Sequence, residues 1–320
     1  MSTRLGFKTT FISKNLKIEL PELDQEIKTD LLILNNKSEW KYPHYSLAMS
    51  KTRKFAYYTA SNINGKYFKS IKRDDLFPSG NDEWKGDEHL LEYQWKQELY
   101  DAPKSNFDRG HLVKREDVQW GYTKDQALLA SQDTFTFTNC TPQVAELNQK
   151  KWGRLELYIL KKEAVKYKLK ICVLTGPVLN INDPYFVSEV QGQQIKLPLL
   201  FWKVVYYSTD GIHLNKVGFL MGQQNLLAKK GIIDASVVDK NLPHFKSLEN
   251  HFNEFEDAET YQVSLSTIEH LSNLKFSSAT EPYTDPRPIK MVIHDVQVKN
   301  LKSKKQNPLK DFVEYEGMRL

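Results

Sequence analysis

The 320-residue sequence has few cysteines, no long apolar run and little net charge. Two cysteines are too few for a disulfide framework or a cysteine-built zinc site. No stretch of about 18 apolar residues occurs, so neither a membrane span nor a membrane partner is expected. We also find no internal repeat. The remaining composition, 40% hydrophobic and 27% charged, is that of a globular protein able to bury a sizeable core.

The small net charge of +5 conceals two basic stretches. Residues 146–170 contain eight lysines or arginines against three acids, and residues 286–310 contain seven against Asp295 alone. Basic stretches of this kind are often solvated helix faces. They can also form local patches that attract a polyanion, and the charge alone does not choose between the two.

Hydrophobic periodicity predicts interspersed strands and helices. Strands are expected within 45–66 and at 134–138, 170–174, 201–207, 216–221 and 261–265. Helices are expected at 123–132, 148–167 and 268–274. A turn is predicted at Asn62-Ile63-Asn64-Gly65, and a capping box of Ser266 and Glu269 is predicted to open the last helix. Residues 72–104 predict a long surface loop with short helical pieces, and the regular pattern ends after Pro282.

The chemically informative segment is Asp108-Arg109-Gly110-His111, because other motifs follow it in order. Asn139-Cys140-Thr141-Pro142-Gln143 comes next, and Asn148-Gln149 begins nine residues after Asn139. Trp152 and Leu155-Glu156 then lie on the predicted helix 148–167. Taken alone, His111 would be a structural or exposed histidine and Asn148 a helix N-cap, so only the set of motifs carries information.

On these motifs the sequence resembles the DNA/RNA non-specific endonucleases, the family that includes endonuclease G and secreted bacterial sugar-non-specific nucleases. Thr175-Gly176-Pro177, Trp202-Lys203-Val204 after Pro198, and the segment 262–269 extend the resemblance over roughly residues 40 to 280. The resemblance implies an α+β fold, with a mixed sheet flanked by helices and containing a ββα-metal finger.

The resemblance also implies catalytic roles. His111 would be the general base, since a neutral imidazole accepts a proton near neutral pH. Asn148 would be the ligand of Mg²⁺, which prefers oxygen ligands and keeps several waters; Mn²⁺ is the expected substitute. Glu156 lies about 80° from Asn148 around an ideal helix, and its implied role is to hold a metal-bound water.

Other residues are expected to bind phosphate or to support the site. Arg109 would bind phosphate charge, and Arg73, Lys161 and Lys162 are further phosphate-binding candidates. Gly110 would allow the strand end to turn tightly. Asp108 would orient the region around His111, Asn139 would brace the finger, and Trp152 would belong to the core.

The sequence departs from the family pattern at one position. Well-studied members carry an arginine one turn after the helix glutamate, where this chain has Leu160. Lys161 and Lys162 follow at once, but a lysine lacks the bidentate guanidinium fork and replaces an arginine only in part. This departure affects the phosphate clamp rather than the hydrolytic centre.

The sequence therefore predicts a Mg²⁺-dependent endonuclease that cleaves DNA and RNA to 5′-phosphate and 3′-hydroxyl ends. A catalytically silent nucleic-acid-binding module on the same fold is the alternative, supported by Leu160. An HNH-type nuclease is a third reading, which the absence of histidine from residues 148–167 disfavours.

We expect residues 1–40 to form an edge segment, 41–282 the endonuclease domain, and 283–320 a basic C-terminal tail. DNA and RNA are the expected substrates. A homodimer and an inhibitor or activating partner are also expected. The lack of a secretory signal predicts a cytoplasmic location, with export by a non-standard route or import into an organelle as alternatives.

Overall fold

The computed structural model describes residues 4–234, 236, 256–297, 311–316 and 318–319, without the side chains of residues 150, 151, 162, 293–297 and 311–315. The strands are β1 Glu22–Leu23, β2 Trp40–Tyr42, β3 Tyr45–Met49, β4 Ala56–Asn64, β5 Asp108–His111, β6 Cys140–Gln143, β7 Lys170–Pro177, β8 Leu200–Tyr207, β9 Asn215–Gly222, β10 Tyr261–Val263, β11 Leu274–Lys275, β12 Ile289–Lys290, β13 Val292–Gln297 and β14 Asp311–Glu316.

The helices are fewer than the strands in the part of the chain that the structure describes. They are α1 Gln25–Lys28, α2 Gln97–Tyr100, α3 Lys124–Gln132, α5 Gln224–Lys229 and α6 Leu265–Ser272. Between α3 and α5 lies α4, which consists of three consecutive segments: Glu146–Trp152 and Tyr158–Val165 in π-helical form, and Gly153–Leu157 in α-helical form between them. Short 3₁₀ turns lie at Gly65–Tyr67, Arg73–Asp75, Glu88–Tyr93 and Phe137–Asn139.

Eight strands form one sheet in the order β12-β10-β9-β8-β7-β4-β3-β2. The predicted α+β class is confirmed, but each of these pairings is antiparallel, so the sheet is not mixed as expected. The apolar stripe predicted on α4 packs in the main core: Trp152, Leu155 and Ile159 are all buried there. The position of α4 over the sheet is thus set by this stripe.

Three local predictions were wrong. The Asn64-Gly65 turn is absent because β4 continues through Asn64, which pairs with Lys170; the chain reverses at residues 50–55 instead. Gly65 is needed for space, since a Cβ there would lie 1.9 Å from the carbonyl oxygen of Ala164. Helix α6 is capped by Ser264 rather than Ser266, since its side chain accepts from the Thr267 amide.

The strand predicted at 134–138 is also absent. The threonine hydroxyls there satisfy nearby carbonyls instead of standing on a sheet: Thr134 donates to Ser131 at 2.7 Å and Thr136 to Asp133 at 3.1 Å. These local hydrogen bonds compete with the hydrogen bonds between neighbouring strands of a sheet. The strand therefore begins only at β6. By contrast, α3 begins as predicted, with Thr123 and Gln126 forming a capping box.

The region after Pro282 contains regular structure where the pattern predicted a tail. β12 joins the edge of the main sheet, and β13 and β14 form an antiparallel pair. β14 lies against α4, and the Gln262 side chain exchanges two hydrogen bonds with the backbone of Arg319. Most of the basic stretch, residues 298–310, lies outside the described residues. No helix among the described residues is long and apolar enough to cross a membrane.

Candidate active site

The predicted metal finger is formed by β5, β6 and α4. The two strands pair in antiparallel register, with Asp108 opposite Gln143 and His111 opposite Cys140. The chain then turns and enters α4, so the strand carrying Asp108 to His111 faces the helix that carries Asn148 and Glu156. This arrangement brings the motifs, which are separated in the sequence, to one cleft of about 690 Å³.

Gly110 is required by the packing of the finger and not by a tight turn. A Cβ at this position would lie 2.1 Å from Oε1 of Gln143, which fills the space beside the strand. Real atoms do not approach so closely, so a larger residue would displace the buried Gln143 side chain from its place against β5. The predicted reason for the glycine was therefore wrong, although its importance to the finger remains.

Asp108 fixes the side chain of the predicted metal ligand. Its Oδ2 accepts hydrogen bonds from Nδ2 of Asn148 at 2.9 Å and from Nε2 of Gln149 at 2.8 Å. Because the amide nitrogen of Asn148 is held in this way, the carbonyl oxygen is the atom left for a ligand in the cleft. Asp108 thus acts on Asn148, whereas the sequence had suggested that it orients the region of His111.

His111 is enclosed by aromatic rings at the cleft wall. Its ring centroid lies 4.6 Å from that of Trp84 and 4.8 Å from that of Phe135. Its Nε2 atom makes no hydrogen bond with any described residue. Burial, followed by the positive charge of Arg73, lowers the pKa of His111 to about 3. The imidazole is therefore neutral at physiological pH, which is the form a general base needs.

Two of the arginines that line the cleft were predicted to bind phosphate. Arg109 donates to Gln97 at 2.6 Å, and its guanidinium lies 5.6 Å from the ring centroid of Trp84. Arg73, on the loop after β4, makes a two-pronged ion pair with Asp82. This ion pair raises the pKa of Arg73. Arg73 thus lies in the cleft as predicted, but a carboxylate of the chain already occupies its guanidinium fork.

Glu156 is buried at the base of the cleft within a cluster of charges. Its carboxylate lies 3.5 Å from Nζ of Lys203 and 3.8 Å from Nζ of Lys114. Lys203 is buried in β8 and donates to Thr175 at 2.8 Å. Burial, followed by repulsion from Glu156, raises the pKa of the neighbouring Asp117 to about 7. The two lysines hold Glu156 in place, so its orientation depends on residues outside the finger.

Asn139 is bonded to the chain on both sides of the finger strands. Its side chain accepts from the Val113 amide and donates to the Val113 carbonyl, both at 3.0 Å, and it also donates to Thr134. Its backbone carbonyl accepts from Leu112 at 2.9 Å. These bonds join the end of β5 to the start of β6.

The predicted lysines are placed differently from the arginines. Lys161 does not line the cleft; its Nζ lies 4.1 Å from the ring centroid of Phe68, and burial lowers its pKa. The side chain of Lys162 lies outside the described atoms. Leu160 is fully buried in the core, so no charged residue could stand there without repacking.

Several residues of the cleft were missed by the sequence analysis. They include Asp82, Trp84, Gln97, Tyr100, Lys114, Arg115 and Glu116. The first four come from the polar loop 72–104, which has no periodic pattern that could have placed them. Lys203 offered a usable signal, because a lysine in the middle of an otherwise apolar strand usually has a buried partner.

The donor set fits a divalent cation of the magnesium type. The Asn148 carbonyl oxygen is held in an open cleft, and such ions accept oxygen ligands together with water and phosphate oxygens. No three His, Cys, Asp or Glu side chains form a metal cage among those the structure describes. A single neutral protein ligand leaves the charge of a bound ion available to an anionic substrate.

Comparisons with known proteins agree with this geometry. The family model for DNA/RNA non-specific endonucleases matches residues 27–282. The chain is 36% identical over 194 residues to the uncharacterized protein y4fB of Sinorhizobium fredii, covering 58% of this chain and 27% of that protein. It is 31% identical over 113 residues to human mitochondrial endonuclease G, covering 33% of this chain and 35% of that protein.

The bovine mitochondrial endonuclease G is 29% identical over 123 residues, covering 37% of this chain and 38% of that protein. The chain thus matches less than two fifths of the length of each of these relatives. A solved EndoG/EndoGI complex has a similar fold, with a TM-score of 0.52 and 19% identity, covering 75% of this chain and 85% of that one. With the family model matching most of its length, the chain belongs to the DNA/RNA non-specific endonuclease family.

Proposed function

We propose that the chain is a divalent-cation-dependent endonuclease, with Mg²⁺ as its ion, that hydrolyses DNA and RNA to 5′-phosphate and 3′-hydroxyl ends. The observation that carries the proposal is that Asn148 and His111 line the same cleft. Asn148 has its amide nitrogen bound to Asp108 and its oxygen left for an ion. His111 is neutral and has an unpartnered Nε2.

In the proposed mechanism, the neutral imidazole of His111 takes a proton from the water that attacks the phosphorus. Arg109 binds the charge that develops on the phosphate oxygens, and Arg73 contributes once its pair with Asp82 opens. Lys114 and Lys203 hold Glu156 beneath the scissile phosphate. When bound, a divalent cation would supply positive charge to the phosphate and to the leaving 3′ oxygen.

The lack of sequence preference follows from the kind of groups that line the cleft. The polar groups of the cleft are charged side chains and amides suited to phosphate and sugar contacts, which position a nucleic acid without reading its bases. A substrate bound in this way is released as salt rises, because each phosphate contact displaces counterions. We therefore expect cleavage of both DNA and RNA to weaken strongly between 50 and 200 mM salt.

The decisive experiment incubates the protein with supercoiled plasmid and with RNA, in Mg²⁺, in Mn²⁺ and in EDTA. His111→Ala should lower the rate by roughly 10²- to 10⁴-fold, as expected for loss of a general base, and Asn148→Ala should also abolish cation-dependent cleavage. Gln149→Ala is the matched control, since it removes a neighbouring amide that binds the same aspartate. Cleavage by both site variants at the wild-type rate would refute the site, and binding without cleavage by the wild type would establish a silent module.

A protein inhibitor and a homodimer also belong to this proposal. A nuclease of low specificity would damage its own cell, and one structural neighbour is an EndoG/EndoGI complex that shows a mechanism of EndoG inhibition. Co-purification from the native source under low salt tests for an inhibitor. Light scattering of the purified chain tests for the dimer, which a mass of 37.3 kDa would exclude.

A further inference from the structure

A two-stranded strip of backbone leads away from the cleft. Residues 67–69 run antiparallel to residues 119–121: the Lys69 amide donates to Gln119 at 2.7 Å, and the Gly121 amide donates to Tyr67 at 3.2 Å. Phe68 and Trp120 form a bridge between them. We call this feature the ribbon. Beyond one end of the ribbon, the two chain segments lead to Arg73 and Arg115, which line the cleft.

The far end of the ribbon carries an exposed tyrosine, Tyr122, beside the half-buried Tyr67. Tyr122 is 79% exposed, and its ring centroid lies 5.1 Å from that of Tyr67. The Tyr122 amide donates to Gln126 at 2.9 Å, which fixes its backbone. Tyr67 therefore supports one side of an aromatic ring whose other surface faces solvent.

Positive charge lies on the ribbon and on the chain segments next to it. Lys66 and Lys72 are exposed and Lys69 is half-buried, while Lys161 reaches over from α4 to Phe68. Among the acids near this path, Glu116 lies 2.7 Å from Arg115, which offsets its charge, and Asp117 is buried. From Tyr67 to Arg73 is six residues, at most about 20 Å at 3.3 Å per residue.

Resting on the proposed function, we propose that the ribbon binds the nucleic-acid strand outside the cleft, with an unpaired base stacked on Tyr122. The lysines would meet the phosphates between that base and the scissile bond. Cationic grooves that end in exposed aromatic rings bind single strands in this way, and the stacking accepts any base. The partner is therefore single-stranded or locally unpaired DNA or RNA, because a closed duplex presents no free base face.

The test uses the full chain with Tyr122→Ala, with Tyr122→Phe to keep the ring, and with Tyr185→Ala as a control tyrosine outside the cleft and ribbon. Cleavage is measured on a single-stranded 12-mer and on bis(p-nitrophenyl) phosphate, which is too small to reach Tyr122. We expect Tyr122→Ala to raise KM for the 12-mer by roughly 5- to 100-fold, the range for loss of one stacked base. Tyr122→Phe, Tyr185→Ala and all rates on the small phosphodiester should match the wild type.

Binding of the labelled 12-mer in EDTA, followed by fluorescence anisotropy, separates this proposal from the nuclease function because it requires no cleavage. Weaker binding by Tyr122→Ala supports the ribbon even if the wild type never cleaves. Equal binding and equal KM for Tyr122→Ala and wild type would overturn the ribbon even if the wild type is an active nuclease. Replacing both Lys69 and Lys72 by glutamine should lower the slope of log Kd against log salt by about 1.4; an unchanged slope would contradict the proposed path.

Discussion

The carboxylate of Asp108 accepts a hydrogen bond of 2.9 Å from the side-chain amide of Asn148, 40 positions later in the chain. This bond connects the first strand of the finger to its helix. It also decides which atom of the amide is offered to the cleft. A family motif and a predicted ligand, recognised separately in the sequence, are thus one physical unit.

Replacing Asp108 with asparagine should weaken the response to divalent cation. The neutral side chain keeps one weaker acceptor for the Asn148 amide in place of a carboxylate, and loss of a group that orients a metal ligand typically costs 10- to 100-fold in metal affinity or activity. A Mg²⁺ titration of plasmid cleavage measures the effect. Asp101→Asn is the control, because Asp101 lines the same cleft but pairs with Gln97. An unchanged titration curve for Asp108→Asn would show that the amide needs no such support.

The pH profile should lack an acid limb near the ordinary histidine pKa of 6.5. Since His111 has a pKa of about 3, it stays neutral and able to accept a proton well below pH 6. We expect kcat/KM, measured at saturating Mg²⁺, to stay level from pH 7 to pH 5. A limb with a midpoint near 6.5 would mean that His111 is solvated in the working enzyme.

The lowered pKa of His111 also predicts how the free energy of unfolding changes with pH. In the unfolded chain His111 protonates below about pH 6.5, whereas in the folded chain it does not until about pH 3. Its contribution to the free energy of unfolding is therefore complete above pH 6.5 and is lost as the pH falls through this window. The slope of unfolding free energy against pH between 6.5 and 4 should be shallower in His111→Gln than in the wild type.

Removing the carboxylate of Asp82 should increase activity at low salt. Asp82 occupies the guanidinium of Arg73, so Asp82→Asn leaves that fork available to a phosphate. Because the pair is largely exposed on the arginine side, the gain in kcat/KM should be modest, about threefold. A fall in activity would show that Asp82 positions Arg73 rather than competing with substrate for it.

Gly110→Ala should destabilise the finger through a collision with Gln143. Overpacking of this kind typically costs about 1–3 kcal/mol, measurable by urea unfolding. The double variant Gly110→Ala with Gln143→Ala should recover most of that loss, because the colliding side chain is gone. Equal stabilities for the single variant and the double variant would exclude the collision.

Lys203→Met should destabilise the fold, since it leaves Glu156 without one of its buried partners. Breaking a buried pair on one side typically costs about 3–5 kcal/mol. Lys216→Met, on the neighbouring strand, is the matched control because its amine contacts a backbone carbonyl instead. Adding Glu156→Gln to Lys203→Met should restore part of the stability, and additive losses would contradict the pairing.

Much of the site could be predicted because the finger is built from short segments in sequence order. His111, Arg109, Asn148 and Glu156 all line one cleft, and the helix bearing the last two buries the predicted stripe. Periodicity was sufficient where a helix or strand packs one clear face. It failed at 134–138, where threonine hydroxyls bonded to the local backbone produced the same alternation as a strand.

The remaining part of the site could not be predicted because it depends on contacts between distant segments. Trp84 lies against His111 from a loop without periodic pattern, and Lys203 reaches Glu156 from β8. Arg73 was predicted from the sequence to bind phosphate, but its guanidinium is already paired with Asp82. No spacing rule reveals that a predicted cation is already paired.

The two hydrogen bonds between the Asn139 side chain and the Val113 backbone bear on how the length of this chain could change in evolution. The segment between β5 and β6 leaves the finger and returns to nearly the same point. The hydrogen bonds of Asn139 with Val113 hold the two ends of this segment together. Segments could be inserted near α3, or removed there, without displacing the imidazole of His111. The enzyme could therefore acquire new surface elements at this point while its chemistry stayed unchanged.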